Sequence, residues 1–312
     1  MKCLALPVAI LLCCAAATAQ NQPTRPKIFG IAGVTIYVSD AHKSRTFYDT
    51  LLDHEQDPKH KKRCFWCEQP PSFDLTLHLN SFQSIGLNPS SSPVPENLIK
   101  DVGFWTDDAT ALRDYLTANK IDFWSPGGRR VKYVSLTDPE GRRIYFIETD
   151  GVLKDPSNQS ALSRGGYEHQ IIHAGFVVHD RAAEDRFYKD ILGFHLYWQG
   201  GRKDDETDWV NMQVPDGTDW IEYMLNVPAD ANHKTLGVMN HIALGVPDIH
   251  AAEAQLRKNG WSGSEQPKIG RDGKWQLNLY DPDDTRVEFM EFTPTQKPCC
   301  AEYTGSHPGP HQ

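Results

Sequence analysis

The most constraining feature of this chain is that it repeats itself. Residues 36–52, IYVSDAHKSRTFYDTLL, match residues 176–192, FVVHDRAAEDRFYKDIL. In each, an apolar run enters Asp40 or Asp180, and a helical pattern follows with Phe47-Tyr48 or Phe187-Tyr188. Residues 135–148, SLTDPEGRRIYFIE, match residues 278–291, NLYDPDDTRVEFME. Both read as two alternating strands around an Asp-Pro turn, a hairpin signal grounded in proline and Asx-turn chemistry. The helical stretches 111–120 and 251–260 that precede them also correspond. Self-similarity on this scale means repeated supersecondary units.

Each half divides again. Short apolar strands are expected at Ile31–Val38, Val102–Thr106, Ile171–Val178 and Met239–Val246. Each runs into an Asp-containing turn and then an amphipathic helix of about three turns, with more strands beyond. The pattern predicts an α+β fold of four βαβββ modules in two pairs. Each pair should form an open, curved mixed sheet with its helices on the outside. The modules are placed at 28–90, 98–150, 168–228 and 238–294, giving domains over 28–150 and 168–294. Residues 86–96 read as a loop and the polar stretch 151–166, broken by Pro156, as a linker. Residues 295–312 lack periodicity and read as a flexible tail, unless Cys299 or Cys300 pins it.

The start of the chain, Met1-Lys2 followed by apolar residues to Ala17 and the small-residue site Ala17-Thr18-Ala19, reads as a signal peptide over 1–19. The expectation is an exported protein, periplasmic or extracellular. Beyond the signal no apolar stretch is long enough to span a bilayer. The formal net charge of −9, with no basic run, argues against nucleic acid and anionic lipid as partners. Four cysteines follow the signal: Cys64, Cys67, Cys299 and Cys300. An even count in an exported chain suggests disulfides, of connectivity the sequence does not give. A zinc site built from the same four is the weaker reading.

The chemistry concentrates in modules three and four. His173 and His241 fall in the first strands of these modules, Glu222 and Glu288 in the last. Alternation puts His241, Ala243 and Gly245 on one strand face, and His173 with Gly175 on one face of the other. Small residues therefore flank each histidine, leaving room for a metal and a substrate. Two imidazoles and two carboxylates suit one divalent ion: Zn, Ni, Co, Mn or Fe(II). In the first half, alignment places Gly33, Thr76, Asp101 and Tyr145 opposite His173, Glu222, His241 and Glu288. Only Asp101 is a strong ligand, so that half is expected to be metal-free.

The paired βαβββ modules, the helix end Phe187-Tyr188-Leu192-Gly193 and the hairpin Asp281 to Phe289 resemble the vicinal oxygen chelate superfamily. That superfamily includes glyoxalase I, methylmalonyl-CoA epimerase, extradiol dioxygenases and bleomycin- or fosfomycin-resistance proteins. The resemblance covers nearly the whole chain after the signal. The His/Glu/His/Glu order is most similar to bacterial glyoxalase I. It implies His173, Glu222, His241 and Glu288 as metal ligands, with Glu222 or Glu288 as catalytic base. The implied function is a metal-dependent lyase or isomerase acting on a small substrate with two neighbouring oxygens, through metal-stabilised enediolate chemistry. A monomer would suffice, since both module pairs lie in one chain.

Two alternatives stand beside it. An extradiol-type dioxygenase would use His173, His241 and Glu288 around Fe(II), with Glu222 an extra anion and no histidine in residues 274–278 to match those enzymes. A non-catalytic sequestering protein would use Trp209, Trp220 and Trp275 to stack a ligand, although packing is the commoner role of tryptophan.

Overall fold

The computed structural model describes residues 23–52, 76–79, 82–90, 97–149 and 170–309. The signal stretch, Cys64, Cys67 and the expected linker lie outside these residues. Module one opens with β1 (Ile28–Val38), α1 (Ala41–Leu52), β2 (Thr76–His78) and β3 (Ser84–Pro89). Module two has β4 (Ile99–Thr106), α2 (Ala109–Ala118), β5 (Tyr133–Thr137) and β6 (Arg143–Glu148). Module three has β7 (Gln170–Val177), α3 (Arg181–Glu184, continuing as a π-helix to Ile191), β8 (His195–Gly200), β9 (Trp209–Gln213) and β10 (Trp220–Met224). After a short helix, α4 (His233–Met239), module four has β11 (His241–Val246), α5 (Ile249–Lys258), β12 (Lys268–Ile269), β13 (Trp275–Tyr280) and β14 (Arg286–Glu291).

Modules three and four thus complete the βαβββ pattern. Module two replaces one strand with a single bridge between Trp124 and Ser135. The Asp turn at the head of each module is a helix cap. Asp40, Asp108, Asp180 and Asp248 each accept a backbone N–H from the first turn that follows. Such a cap is typically worth about 1 kcal/mol. Two expectations need correction. Residues 86–89, read as loop, continue β3, with Asn88 and Pro89 at the strand end where a missing N–H is tolerated. The first strand of module four begins at His241 rather than Met239, because Asn232 caps α4 through Thr235 N and the chain stays helical to Met239.

The strands form two mixed sheets, β2-β3-β1-β4-β6-β5 and β12-β13-β14-β11-β7-β10-β9-β8. Each centre is an antiparallel pair, β1/β4 or β7/β11, flanked by parallel partners. One apolar core runs through both halves; Phe104 and Phe194 meet edge to face with ring centroids 5.3 Å apart.

The halves are tied by reciprocal contacts. Tyr48 of α1 donates to Asp281 in the last hairpin (3.3 Å), and Tyr188 of the module-three helix donates to Asp138 in the module-two hairpin (3.2 Å). The repeated Phe-Tyr and Asp-Pro motifs are therefore two ends of one contact, made twice. Gln83 joins the central strands, reaching the carbonyls of Ile31 and Ile171 and accepting from Ile171 N.

The tail does not hang free. Thr304 bonds the carbonyl of Leu196, Gln213 donates to Ser306 O (2.8 Å) and Tyr303 donates to Asp272 O (2.9 Å). Tyr303 packs on Tyr197 at 4.7 Å. Cys299 and Cys300 are joined in a vicinal disulfide, and Trp198 donates to the Cys299 carbonyl. Aperiodic polar sequence hid this anchoring, which rests on irregular backbone contacts. Among the described residues no helix is long and apolar enough to cross a membrane.

Candidate metal centre

Strand register builds the site. Across the second sheet one row reads Asn211, Glu222, Gly175, His241 and Arg286. The next reads Gln213, Trp220, His173, Ala243, Glu288 and Asn278. Residues paired across a ladder share a face, so both histidines and both glutamates project to the same side. An approximate two-fold between β7 and β11 exchanges His173 with His241, Glu222 with Glu288, and Gly175 with Ala243.

The small residues are a requirement. A Cβ on Gly175 would lie 1.9 Å from His241 Cε1. The His241 ring therefore occupies the space that any side chain at 175 would take.

The four groups converge. The two Nε2 atoms stand 3.0 Å apart. Glu222 Oε2 lies 2.9 Å from His241 Nε2 and 3.7 Å from His173 Nε2; Glu288 Oε2 lies 3.5 Å from His173 Nε2 and 3.8 Å from His241 Nε2. Ligands about 2.1 Å from one ion, at roughly 90–109° to each other, lie about 3.0–3.4 Å apart. The ligand atoms of His173, Glu222 and His241 lie mutually close enough to take one divalent ion, and Glu288 Oε2 approaches both imidazoles. His241 Nδ1 lies 3.0 Å from the carbonyl of Met239 and 2.8 Å from Arg286 Nη2.

The two carboxylates differ. Glu288 is sealed, whereas the Glu222 side chain is 13% exposed. Burial pushes Glu222 above the usual carboxylate range, against the pull of His173 and Arg286. Burial acts on Glu288 too, but Arg286 and the two imidazoles overcome it and hold its carboxyl at about 2. Burial first, then Arg286 and His173, hold His241 well below the usual imidazole range. Asn211, its amide oriented to satisfy both partners, donates to Glu222 Oε1 (3.0 Å) and accepts from Trp220 Nε1 (3.2 Å).

Residues 170–289 match the model of the Glyoxalase/Bleomycin resistance protein/Dioxygenase superfamily. The match lies within the second half of the chain. A lactoylglutathione lyase of Haemophilus influenzae is 26% identical over 129 residues, spanning 41% of this chain and 96% of that protein. Among solved structures, a variant of homoprotocatechuate 2,3-dioxygenase from B. fuscum superposes with a TM-score of 0.55 at 18% identity. It covers 91% of this chain and 75% of that one. A catechol 2,3-dioxygenase gives 0.55 at 14% identity, covering 92% and 95%. These likenesses are of fold, and they extend through both sheets.

By strand register the first sheet places Gly33, Gly86, Asp101 and Tyr145 where the second has His173, Glu222, His241 and Glu288. Thr76 is therefore not the counterpart of Glu222. The parallel partner of β1 is β3, and Thr76 sits one strand further out, opposite Gly86, in the place of Asn211. The alignment by sequence that set Thr76 opposite Glu222 selects the wrong strand. Asp101 is buried and paired with Arg143. Tyr145 fills the space over Gly103, where a Cβ would meet its ring at 2.0 Å. Among the described residues His173, Glu222 and His241 form a cluster able to hold a metal, whereas Asp204, Cys299 and Cys300 also lie together but the disulfide takes both sulfurs.

Sequence reasoning missed Arg286 and Asn211. Arg286 was legible in principle, since two residues before Glu288 in a strand means the same face. Of the three tryptophans, Trp220 is fully buried with its ring 4.7 Å from that of His173, a wall of the site. Trp275 packs on the main core and Trp209 on a smaller apolar cluster.

Proposed function

We propose that the second half is a glyoxalase-type enzyme, a metal-dependent lyase or isomerase for a small substrate with two neighbouring oxygens. The observation that carries this reading is the convergence of two imidazoles and two carboxylates, one of them partly open. A divalent ion (Zn, Ni, Co, Mn or Fe) held by His173, Glu222, His241 and Glu288 would supply positive charge to substrate oxygens as negative charge develops on them. Glu222 is the proton carrier. It takes a proton from a carbon beside a carbonyl and returns it to the adjacent carbon, so one C–H bond breaks, another forms and no oxidant is consumed. Its raised pKa suits both halves of that transfer, and a positioned carboxylate typically contributes about 10²–10⁴-fold. Asn211 fixes Glu222 Oε1 and directs the other oxygen toward the imidazoles. Glu288, ionised throughout the neutral range, serves as a permanent anion rather than a base.

Metal analysis of the purified protein beside His241→Ala tests the proposal. About one divalent ion per chain is expected, with loss in the variant. Full occupancy of the variant would sink it. A second reading, an extradiol-type dioxygenase, is favoured by the four-module fold shared with the dioxygenase structures. Oxygen uptake by the Fe(II)-loaded protein with catechol would select it. We also propose export through the N-terminal stretch, and action as a monomer.

A further inference from the structure

The chain turns sharply at Cys300. Its φ is +69°, in the left-handed region that a residue with a β-carbon rarely adopts. Ala301 N donates to the Cys299 carbonyl at 2.7 Å, a hydrogen bond that spans Cys300 alone. A positive φ inside such a bond marks the rare and strained form of γ-turn. The disulfide joins Cys299 to Cys300, so its ring closes on this turn. The turn aims everything that follows it. Tyr303 packs on Tyr197 with ring centroids 4.7 Å apart, and Thr304 N donates to the Tyr197 carbonyl at 2.9 Å. Tyr197 in turn packs on Trp220 at 5.0 Å, so the tail backs the wall beside His173. Trp198 Nε1 reaches the same Cys299 carbonyl at 3.3 Å. Cys300 is exposed and Cys299 half-buried. The Arg271 guanidinium, held by Asp204 and the Gly201 carbonyl, comes within 3.7 Å of the Cys300 sulfur.

We propose that the Cys299–Cys300 pair is a reversible redox site for a small dithiol, and that its reduction relaxes the turn and loosens the tail from β8. Disulfides ordinarily stabilise by closing a long loop of the unfolded chain. A bond between neighbours closes none, so its influence falls on the turn it encloses. Exposed disulfides are also the labile and regulatory ones. One thiolate of the dithiol, drawn by the Arg271 guanidinium, attacks the Cys300 sulfur; the S–S bond breaks and Cys299 leaves as a thiolate. The second thiol of the reagent then attacks its own sulfur in the mixed disulfide, which closes the reagent's S–S bond and releases Cys300. Two electrons pass from the dithiol to the pair, and its two protons end on the two cysteine sulfurs. With the ring open, Cys300 returns to the negative φ that its β-carbon favours, and the bond from Ala301 to Cys299 goes with the turn. The tail is then held by residues 303–307 alone. None of this depends on the metal reading.

The test compares the full-length protein, air-oxidised, with the same protein treated with dithiothreitol under native conditions. Alkylation and peptide mapping read Cys299 and Cys300 separately from Cys64 and Cys67, and hydrogen exchange reads the amides of residues 301–307. Dithiothreitol is expected to open both sulfurs to alkylation and to speed exchange in 301–307 roughly tenfold, with β11 and β14 unchanged. Reoxidation should restore the slow exchange. Cys299→Ser/Cys300→Ser should exchange fast with or without dithiothreitol, and Cys64→Ser/Cys67→Ser should respond as the wild type does. A pair that stays oxidised in the folded protein under dithiothreitol, or that is found as free thiols after air oxidation, refutes the redox site. Reduction of the pair with tail protection unchanged refutes the release, and a response that vanishes in Cys64→Ser/Cys67→Ser assigns it to the wrong cysteines. The oxidised and reduced wild type are compared directly, so misfolding of either variant does not protect the proposal.

Discussion

Gly175→Ala is the sharpest perturbation available, because it adds one methyl group and touches no ligand directly. The added Cβ would sit 1.9 Å from Cε1, 2.4 Å from Nδ1 and 2.5 Å from Nε2 of His241. Relieving the closest contact to the 3.4 Å of ordinary van der Waals approach displaces the ring by about 1.5 Å. Metal–ligand distances tolerate about 0.2 Å, so the displaced imidazole is lost as a ligand. Overpacking of this kind typically costs about 1–3 kcal/mol. The first sheet supplies a matched control: Gly103→Ala would drive its Cβ to 2.0 Å from the Tyr145 ring and incur a similar strain away from the centre. Bound metal by mass spectrometry and melting temperature should be measured for both. Both variants are expected to melt earlier, and only Gly175→Ala should lose its metal. Retention of wild-type metal affinity by folded Gly175→Ala would refute the role given to His241.

Other consequences follow from the same geometry. Glu222→Gln should keep measurable metal but lower turnover at least about a hundredfold, whereas Glu288→Gln should lose metal first; equal loss of metal in both would remove the division of labour. Asp219 and Asp281 are buried, and burial raises each from 3.8 to about 7. Between those values the folded state holds protons that the unfolded state has released, so stability should fall as pH rises from about 4 to 7. Each group contributes up to about 4 kcal/mol to that fall. Urea titrations at pH 5 and pH 8 check this, and a higher midpoint at pH 8 would contradict it. Deleting residues 297–312 should lower the melting temperature by several degrees, since it uncovers Tyr197 and Trp198, while metal stoichiometry persists. N-terminal sequencing of the exported protein should begin at Gln20; an intact Met1 would end the signal-peptide reading.

Much of this was legible because strand alternation and internal repetition test each other. His173 and His241 could be put on one side of a sheet from Gly175 and Ala243 alone, and the strand-order contacts then joined them. The Asp caps were legible for a similar reason: a short polar residue between an apolar strand and an amphipathic helix has few other uses. What escaped depended on three-dimensional context. Thr76 was misaligned because β2 and β3 are both short and alternate alike, and only pairing with β1 separates them. The tail escaped because its anchors, Thr304 to Leu196 and Ser306 to Gln213, join irregular backbone to strands a hundred residues away.

The centre also shows why duplication alone does not make such a site reactive. The two-fold between β7 and β11 supplies ligands in matched pairs, and perfect symmetry would give two carboxylates of equal basicity. The symmetry is broken within the histidine rows, where Trp220 beside His173 stands at the position equivalent to Arg286 beside His241. The guanidinium sits 2.8 Å from His241 Nδ1 and draws Glu288 down, while the indole covers His173, and on Glu222 burial outweighs the pull of the same guanidinium. On the proposed function, two chemically identical side chains thereby serve as a fixed anion and a proton carrier. In the first sheet Arg143 occupies the place of Arg286, but its partner is Asp101 rather than a histidine. The cation there is spent on an ion pair, and Tyr145 closes the hollow that the second sheet keeps for its ligands.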